Sequence, residues 1–208
     1  MNLSIAVIGA SKAGKTLFCI NFAEYMGAGN LSYAEYTPGG QGRGLLSPAG
    51  ARRLMVGRSG RGNGVLRIFT VHLPPRPYRR LALIDTVALQ AKNPLPRSGR
   101  SQLLLTLQAM ERADLILMLF DLSCTDPALQ EFNDRAGGYM ADYCRQRGKL
   151  FLPGGSKADL LSGSPGGKTL FAAGGELLHI SSLRRAGFPL LKKMILGAPL
   201  AAVDYGAR

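Results

Sequence analysis

The chain has 208 residues, of which 46% are hydrophobic and 19% charged, and its formal net charge at neutral pH is +13. This length supports one domain with a small appendage, and the apolar content excludes a disordered chain. The strongest apolar run, residues 115–119, is too short to span a membrane. Three scattered cysteines without C-x-x-C spacing argue against a disulfide framework or a structural zinc site. His72 and His179 are isolated and suggest no metal role. The start of the chain has no charged n-region and no cleavage site, so a cytoplasmic location is expected.

Residues 3–8 form a short apolar stretch with β-branched members, the pattern of a buried strand. Gly9-Ala10-Ser11-Lys12-Ala13-Gly14-Lys15-Thr16 follows and fits G-x-x-x-x-G-K-[ST]. Residues 17–26 then read as a helix stopped at Gly27. Strand, glycine loop and helix together make a phosphate site. The glycines let backbone N–H groups turn inward, and the helix start offers unpaired N–H groups and the positive end of its dipole. Gly9, Ser11, Lys12, Ala13, Gly14, Lys15 and Thr16 are the candidate phosphate contacts, with Lys15 reaching the outer phosphates and Thr16 placed to hold Mg²⁺. Gly166-Gly167-Lys168-Thr169 is a decoy, since Ser162 stands where the first glycine would have to be.

Residues 28–63 are rich in Gly, Ser, Pro and Arg and predict a long, mobile loop, with 39–63 its Gly/Arg-rich part. Residues 64–73 alternate as a strand, with Val65, Arg67, Phe69 and Val71 on one face. Residues 74–80 predict a turn and 81–85 a second strand, antiparallel to the first because so short a link cannot make a parallel crossover. Residues 88–100 predict a loop, 101–112 a helix and 114–121 a buried strand. Asp126-Pro127 opens a helix to about residue 147, with a kink expected at Gly137-Gly138. A short strand at 149–152, a loop at 153–159, a strand at 176–180 and a helix at 188–196 complete a domain over residues 1–197. Residues 198–208 form a tail. The expected fold is three-layer α/β: a mostly parallel six-stranded sheet with one antiparallel strand and helices on both faces.

On these residues the chain resembles the P-loop GTPases of the translation-factor class, most closely their Era-type branch. The phosphate loop carries the resemblance, with Asp85-Thr86-Val87-Ala88 at the D-x-x-G position and Ser156-Lys157-Ala158-Asp159 at the [NT]-K-x-D position. Ser181-Ser182-Leu183 is similar to the family's weak S-A-[KL] motif. The resemblance implies GTP or GDP with Mg²⁺ as ligands. It makes Thr16, Thr37 and Asp85 the metal-side residues, and Ser156, Lys157, Asp159, Ser182 and Leu183 the guanine contacts. Ala88 contributes its N–H to phosphate, and Lys15, Thr37 and Gln90 are the candidate catalytic residues. Two departures bear on activity. Ala88 stands in place of glycine, and apolar Leu89 occupies the position that orients water, leaving Gln90 one residue further on. Slow hydrolysis is therefore expected. A degenerate binding or scaffold module without turnover and an ATP-using P-loop enzyme are the alternative readings.

The charge is localised. Residues 40–100 hold eleven arginines and one lysine against a single acid, Asp85. This belt is a candidate surface for RNA, a ribosomal particle or an acidic protein, although an Arg-rich composition would produce the same excess.

Overall fold

Alternate side chains of the first strand, β1 (Asn2–Gly9), enter two different cores. Leu3, Ile5 and Val7 join one, and Ala6 and Ile8 join the other. β6 (Leu115–Asp121) repeats the pattern, with Leu115, Leu117 and Leu119 on the first side and Ile116, Met118 and Phe120 on the second. A strand buried on both faces needs helices above and below it, which gives three layers. In this computed structural model, which describes residues 2–37, 39–56, 64–73, 80–89, 97–161 and 176–197, five helices supply them. α1 (Lys15–Tyr25), α2 (Pro48–Met55) and α5 (Phe188–Gly197) cover the first face, and α3 (Arg97–Arg112) and α4 (Pro127–Gln146) the second. Phe188 of α5 stands at a steep angle to Phe18, Phe22 and Tyr25 of α1, with ring centroids 5.7, 5.1 and 5.5 Å apart. Burying each phenylalanine contributes about 2–3 kcal/mol, so this aromatic cluster anchors the helix that follows the glycine loop.

The remaining strands are β2 (Leu31–Thr37), β3 (Gly40–Leu46), β4 (Leu66–His72), β5 (Arg80–Asp85), β7 (Leu150–Ser156) and β8 (Leu178–His179). All eight form one sheet in the order β3-β2-β4-β5-β1-β6-β7-β8. The pairs from β5 across to β8 are parallel, and those joining β5, β4, β2 and β3 are antiparallel. The expected mixed α/β architecture is present, with the antiparallel β4–β5 pair. The strand count is eight rather than six, and the antiparallel part is larger than one strand.

The difference lies in residues 28–63, expected as a loop. Where described, they hold β2, β3 and α2. β3 reads Gly-Gln-Gly-Arg-Gly-Leu-Leu, a composition with little strand preference of its own, and pairing with β2 overrides that preference. α2 is opened by Ser47, whose hydroxyl accepts from the Gly50 N–H at 3.1 Å, with Pro48 at its first position. Two further boundaries shift. α3 starts at Arg97, inside the expected loop, and α4 continues as one helix through Gly137-Gly138.

β7 runs on through Pro153-Gly154-Gly155-Ser156, which the sequence suggested was loop. Its outer neighbour β8 pairs only with Gly154 and Gly155, so Pro153 sits where the strand is still an edge among the described residues. A Cβ on Gly154 would stand 3.0 Å from Ile180 Cδ1, and one on Gly155 would stand 2.7 Å from Leu122 Cδ1. The two glycines thus let the neighbouring apolar side chains close over the strand. Arg80, the last residue of the turn expected at 74–80, opens β5, and the rest of that turn, Gln90, the decoy at 166–169 and the tail 198–208 lie outside the described residues. Among the described residues, no helix is long and apolar enough to cross a membrane.

Candidate functional site

Because β5, β1, β6 and β7 are parallel, their carboxyl ends lie along one sheet edge, where ligands of open α/β sheets bind. Gly9, Asp85, Asp121 and Ser156 occupy those four ends.

Gly9 takes φ +147°, and a Cβ there would stand 2.5 Å from the Leu119 carbonyl oxygen. Only glycine lets β1 pass this close to β6 before turning. Lys12 at φ 64° and Gly14 at φ 85° are left-handed, which winds the chain into a loop before α1 begins. Lys15 folds back into that loop and is buried. Its ammonium donates to the carbonyls of Gly9 at 3.0 Å and Ala10 at 2.9 Å. Burial pushes its pKa down, opposed by the nearby Asp85. Ser11 and Lys12 are exposed at the loop crest and Ala13 is buried beneath.

The Thr16 hydroxyl donates to Asp85 Oδ2 at 2.7 Å. A hydroxyl and a carboxylate side by side are hard oxygen donors of the kind Mg²⁺ accepts, and Lys15 lies beside them, so the residues fit a metal-bound phosphate. Burial raises the Asp85 pKa, countered by the Thr16 hydrogen bond, Lys15 and Arg67 in that order. Beyond Asp85 the chain keeps alongside the glycine loop. Thr86 donates to the Val7 carbonyl through both its N–H, at 3.3 Å, and its hydroxyl, at 2.8 Å, and the Leu89 N–H donates to Gly9 at 3.0 Å. Ala88 therefore lies next to the phosphate loop without a left-handed conformation, and an alanine is tolerated there. Among the described residues, no cluster of three or more His, Cys, Asp or Glu could hold a metal.

The ends of β6 and β7 carry the base-side candidates. Ser156, buried, donates to the Phe120 carbonyl at 3.0 Å and ties β7 to β6. Lys157 has φ 57° and its ammonium pairs with Asp121 Oδ2 at 2.5 Å, which lays its stem along the sheet edge. Desolvation notwithstanding, the Lys157 and Ser123 hydrogen bonds hold Asp121 below the usual carboxylate range. Asp159 lies in the single 3-10 turn Ala158–Leu160 and accepts from the Ser181 hydroxyl at 2.5 Å. Ser181 in turn accepts from the Arg184 N–H at 3.0 Å. Sequence reasoning placed Ser181 in the S-A-[KL]-like segment without giving it a contact; the structure has it fix the Asp159 carboxylate. Ser182 contributes its carbonyl to the Asn21 side chain at 2.7 Å, and Leu183 is exposed.

Thr37 ends β2 on the same sheet edge as Asp85, but β4 and its pairing separate the two strands. The offset is two strand spacings, about 10 Å. Its hydroxyl donates to the Gly40 carbonyl at 3.1 Å within the β2–β3 hairpin. The arginine belt also divides. Arg67 is buried. Arg52 is committed to Asn21 at 2.8 Å and Glu24 at 2.9 Å, and Glu24 also takes Arg185 at 2.8 Å. Arg52 with Arg185 holds Glu24 below the ordinary glutamate pKa. Arg43, Arg53 and Arg80 are exposed.

No family model and no curated protein matches the chain. Solved structures do. Era in complex with MgGDPNP and nucleotides 1506–1542 of 16S ribosomal RNA is similar at a TM-score of 0.58 and 17% identity. The match covers 98% of this chain and 60% of that one. A GTP-binding protein from the hyperthermophilic archaeon Sulfolobus solfataricus in complex with GDP gives 0.52 and 16%, over 94% of this chain and 51% of that one. The G domain of the T. maritima FeoB iron transporter gives 0.50 and 12%, over 95% and 98%. The chain spans about 60% of the length of the Era structure it matches. Its sheet, its glycine loop and these neighbours agree: the chain has the fold of the P-loop GTPases.

Proposed function

We propose that the chain is a guanine-nucleotide-binding switch that hydrolyses GTP slowly. The observation that supports this most is the line of groups along one sheet edge: Lys15 in its loop, the Thr16–Asp85 pair, and Lys157 with the Ser181-fixed Asp159. In sheet order, these groups would take a metal at the Thr16–Asp85 pair after β5, phosphates at the Lys15 loop after β1 and a purine beyond β7, the order a nucleotide requires. Gly9, Ser11, Lys12, Ala13, Gly14 and the Ala88 N–H would surround the phosphates. Thr16 and Asp85, with Thr37 brought in by movement of its hairpin, would hold Mg²⁺, whose charge when bound stabilises the phosphoryl oxygens. Ser156, Lys157, Asp159, Ser182 and Leu183 would form the base pocket. Turnover would be slow because Leu89 offers no polar side chain to a water and spends its N–H on Gly9.

Equilibrium binding of fluorescent GDP and ADP analogues to the nucleotide-free chain, with Lys15→Ala as control, tests this. A preference of at least about tenfold for GDP, lost in the control, is the expected result. Equal binding of both would favour an ATP-type enzyme. No binding of either would favour a scaffold module that has kept only the fold.

A partner follows from the remaining charge. The exposed Arg43 of β3, Arg53 of α2 and Arg80 of β5 put positive charge on both faces of the antiparallel part of the sheet, suited to RNA phosphates or to an acidic protein. RNA binding by this surface would weaken steeply with salt, and charge reversal at these three positions should flatten that dependence. An unchanged salt slope would remove the surface from consideration.

A further inference from the structure

Three charged residues face one another across the antiparallel part of the sheet. Glu35 of β2 pairs with Arg67 of β4, and Arg67 pairs with Asp85 of β5. Directly opposed residues on antiparallel strands present their side chains to the same face. That face is the one covered by α1, because Tyr33, Phe69 and Leu83, two positions along each strand, all enter its core. Arg67 is only 5% exposed. Its Nε donates to Glu35 Oε1 at 2.6 Å, and its Nη1 stands 3.8 Å from Asp85 Oδ2. That same Asp85 oxygen accepts the Thr16 hydroxyl.

The oxygen expected to face Mg²⁺ is therefore already faced by a permanent cation. A guanidinium does not deprotonate in proteins, and its planar fork is held here by Glu35. Removing it would leave a buried carboxylate with less compensation, so its position is tightly specified. A divalent ion at the Thr16–Asp85 pair would sit within a few ångströms of this charge and be repelled by it. Conversely, a nucleotide's phosphates entering the Lys15 loop would meet both Lys15 and the field of Arg67 before any metal arrives.

We propose that Arg67 is a resident cation of the phosphate site, positioned by Glu35, which makes nucleoside-diphosphate binding nearly independent of Mg²⁺ and lowers the affinity of the Thr16–Asp85 pair for the metal. This rests on the nucleotide-binding reading above and concerns binding, not hydrolysis. Arg67 acts as a positioning and electrostatic residue through Asp85.

The test has two arms on the full chain. In the first, fluorescent GDP is titrated in Mg²⁺ and in chelator against the native chain, Arg67→Met and Arg67→Lys. Chelation should weaken the native chain and Arg67→Lys by less than about threefold, and Arg67→Met by at least about thirtyfold. A native chain that loses more than about thirtyfold on chelation, or an Arg67→Met ratio equal to the native one, overturns the proposal. In the second arm, Mn²⁺ binding to the nucleotide-free proteins is followed by electron paramagnetic resonance. Arg67→Met should bind Mn²⁺ at least about tenfold more tightly than the native chain, with Arg67→Lys close to native. Equal affinities overturn the proposal even if no nucleotide binds, whereas loss of GDP binding alone, with the Mn²⁺ difference intact, refutes only the nucleotide reading.

Discussion

Replacing Lys15 by methionine should weaken GDP binding by about 100-fold or more, equivalent to ~2.8 kcal/mol, while leaving the unliganded chain as stable as before to within about 1 kcal/mol. The two halves of this expectation have separate causes. Methionine keeps most of the stem and none of the charge, so the phosphates would lose the ammonium that the loop encloses. The fold loses little because both carbonyls that Lys15 occupies have a second donor. Gly9 also accepts from the Leu89 N–H at 3.0 Å, and Ala10 from the Ala13 N–H at 3.4 Å. Asp85 keeps the Thr16 hydroxyl and Arg67. Burial already lowers the Lys15 pKa, so removing the charge relieves a desolvation cost that offsets the lost hydrogen bonds. Titration with a fluorescent GDP analogue and urea unfolding without nucleotide measure the two quantities. A variant that binds normally would mean Lys15 is a structural lysine capping its own loop. A variant that unfolds would mean the loop is built on it.

The parts of the site legible in the sequence are those written in one contiguous segment. Strand, glycine loop and helix follow one another without interruption, so Gly9, Gly14, Lys15 and Thr16 could be placed before any tertiary contact was known. The β4–β5 pairing was also legible, because the short link between the strands forbids a parallel crossover. What failed was the stretch whose structure depends on partners. β3 has three glycines in seven residues and becomes a strand only because β2 offers it a ladder. Once that hairpin is present, Thr37 is seen two strands away from Asp85, a separation that the resemblance alone could not reveal. Arg52 looked like part of a loose basic belt. Its place on α2 instead locks it to Asn21 and Glu24. Arg67 did leave a signal: it is the one charge on a strand face otherwise made of Val65, Phe69 and Val71. A lone arginine on an apolar strand face has to find carboxylate partners, and the register supplies two, the buried Asp85 and the partly exposed Glu35. Ser181 left a weaker signal, a hydroxyl just beyond an apolar strand, whose partner Asp159 is 22 positions earlier in the chain.

Replacing Asp159 by asparagine should reverse the base preference, with GDP weakened by about 100-fold and the xanthine nucleotide bound more tightly than GDP. The direction follows from Ser181. Its hydroxyl donates to Asp159 Oδ1 at 2.5 Å and is itself fixed by the Arg184 N–H at 3.0 Å. In the variant, that hydroxyl still requires an acceptor, so the asparagine carbonyl oxygen remains toward Ser181 and its NH₂ takes the position of Oδ2. A carboxylate oxygen there would accept from guanine N1–H and N2–H₂; an NH₂ group would oppose those donors and would instead meet the 2-oxo group of xanthine. A charged acceptor exchanged for a mismatched donor loses a charge-assisted bond and leaves polar groups unpaired, a combination of about 2–3 kcal/mol. Competition titration of fluorescent GDP with unlabelled GDP, XDP and ADP measures the order. Adding Ser181→Ala to the variant frees the amide to rotate, so the double variant should recover part of the GDP affinity and bind XDP less selectively. An Asp159→Asn protein whose base preference matches the native chain would show that Asp159 serves only to hold the 181–187 turn against the end of β7, and the base would have to be read elsewhere.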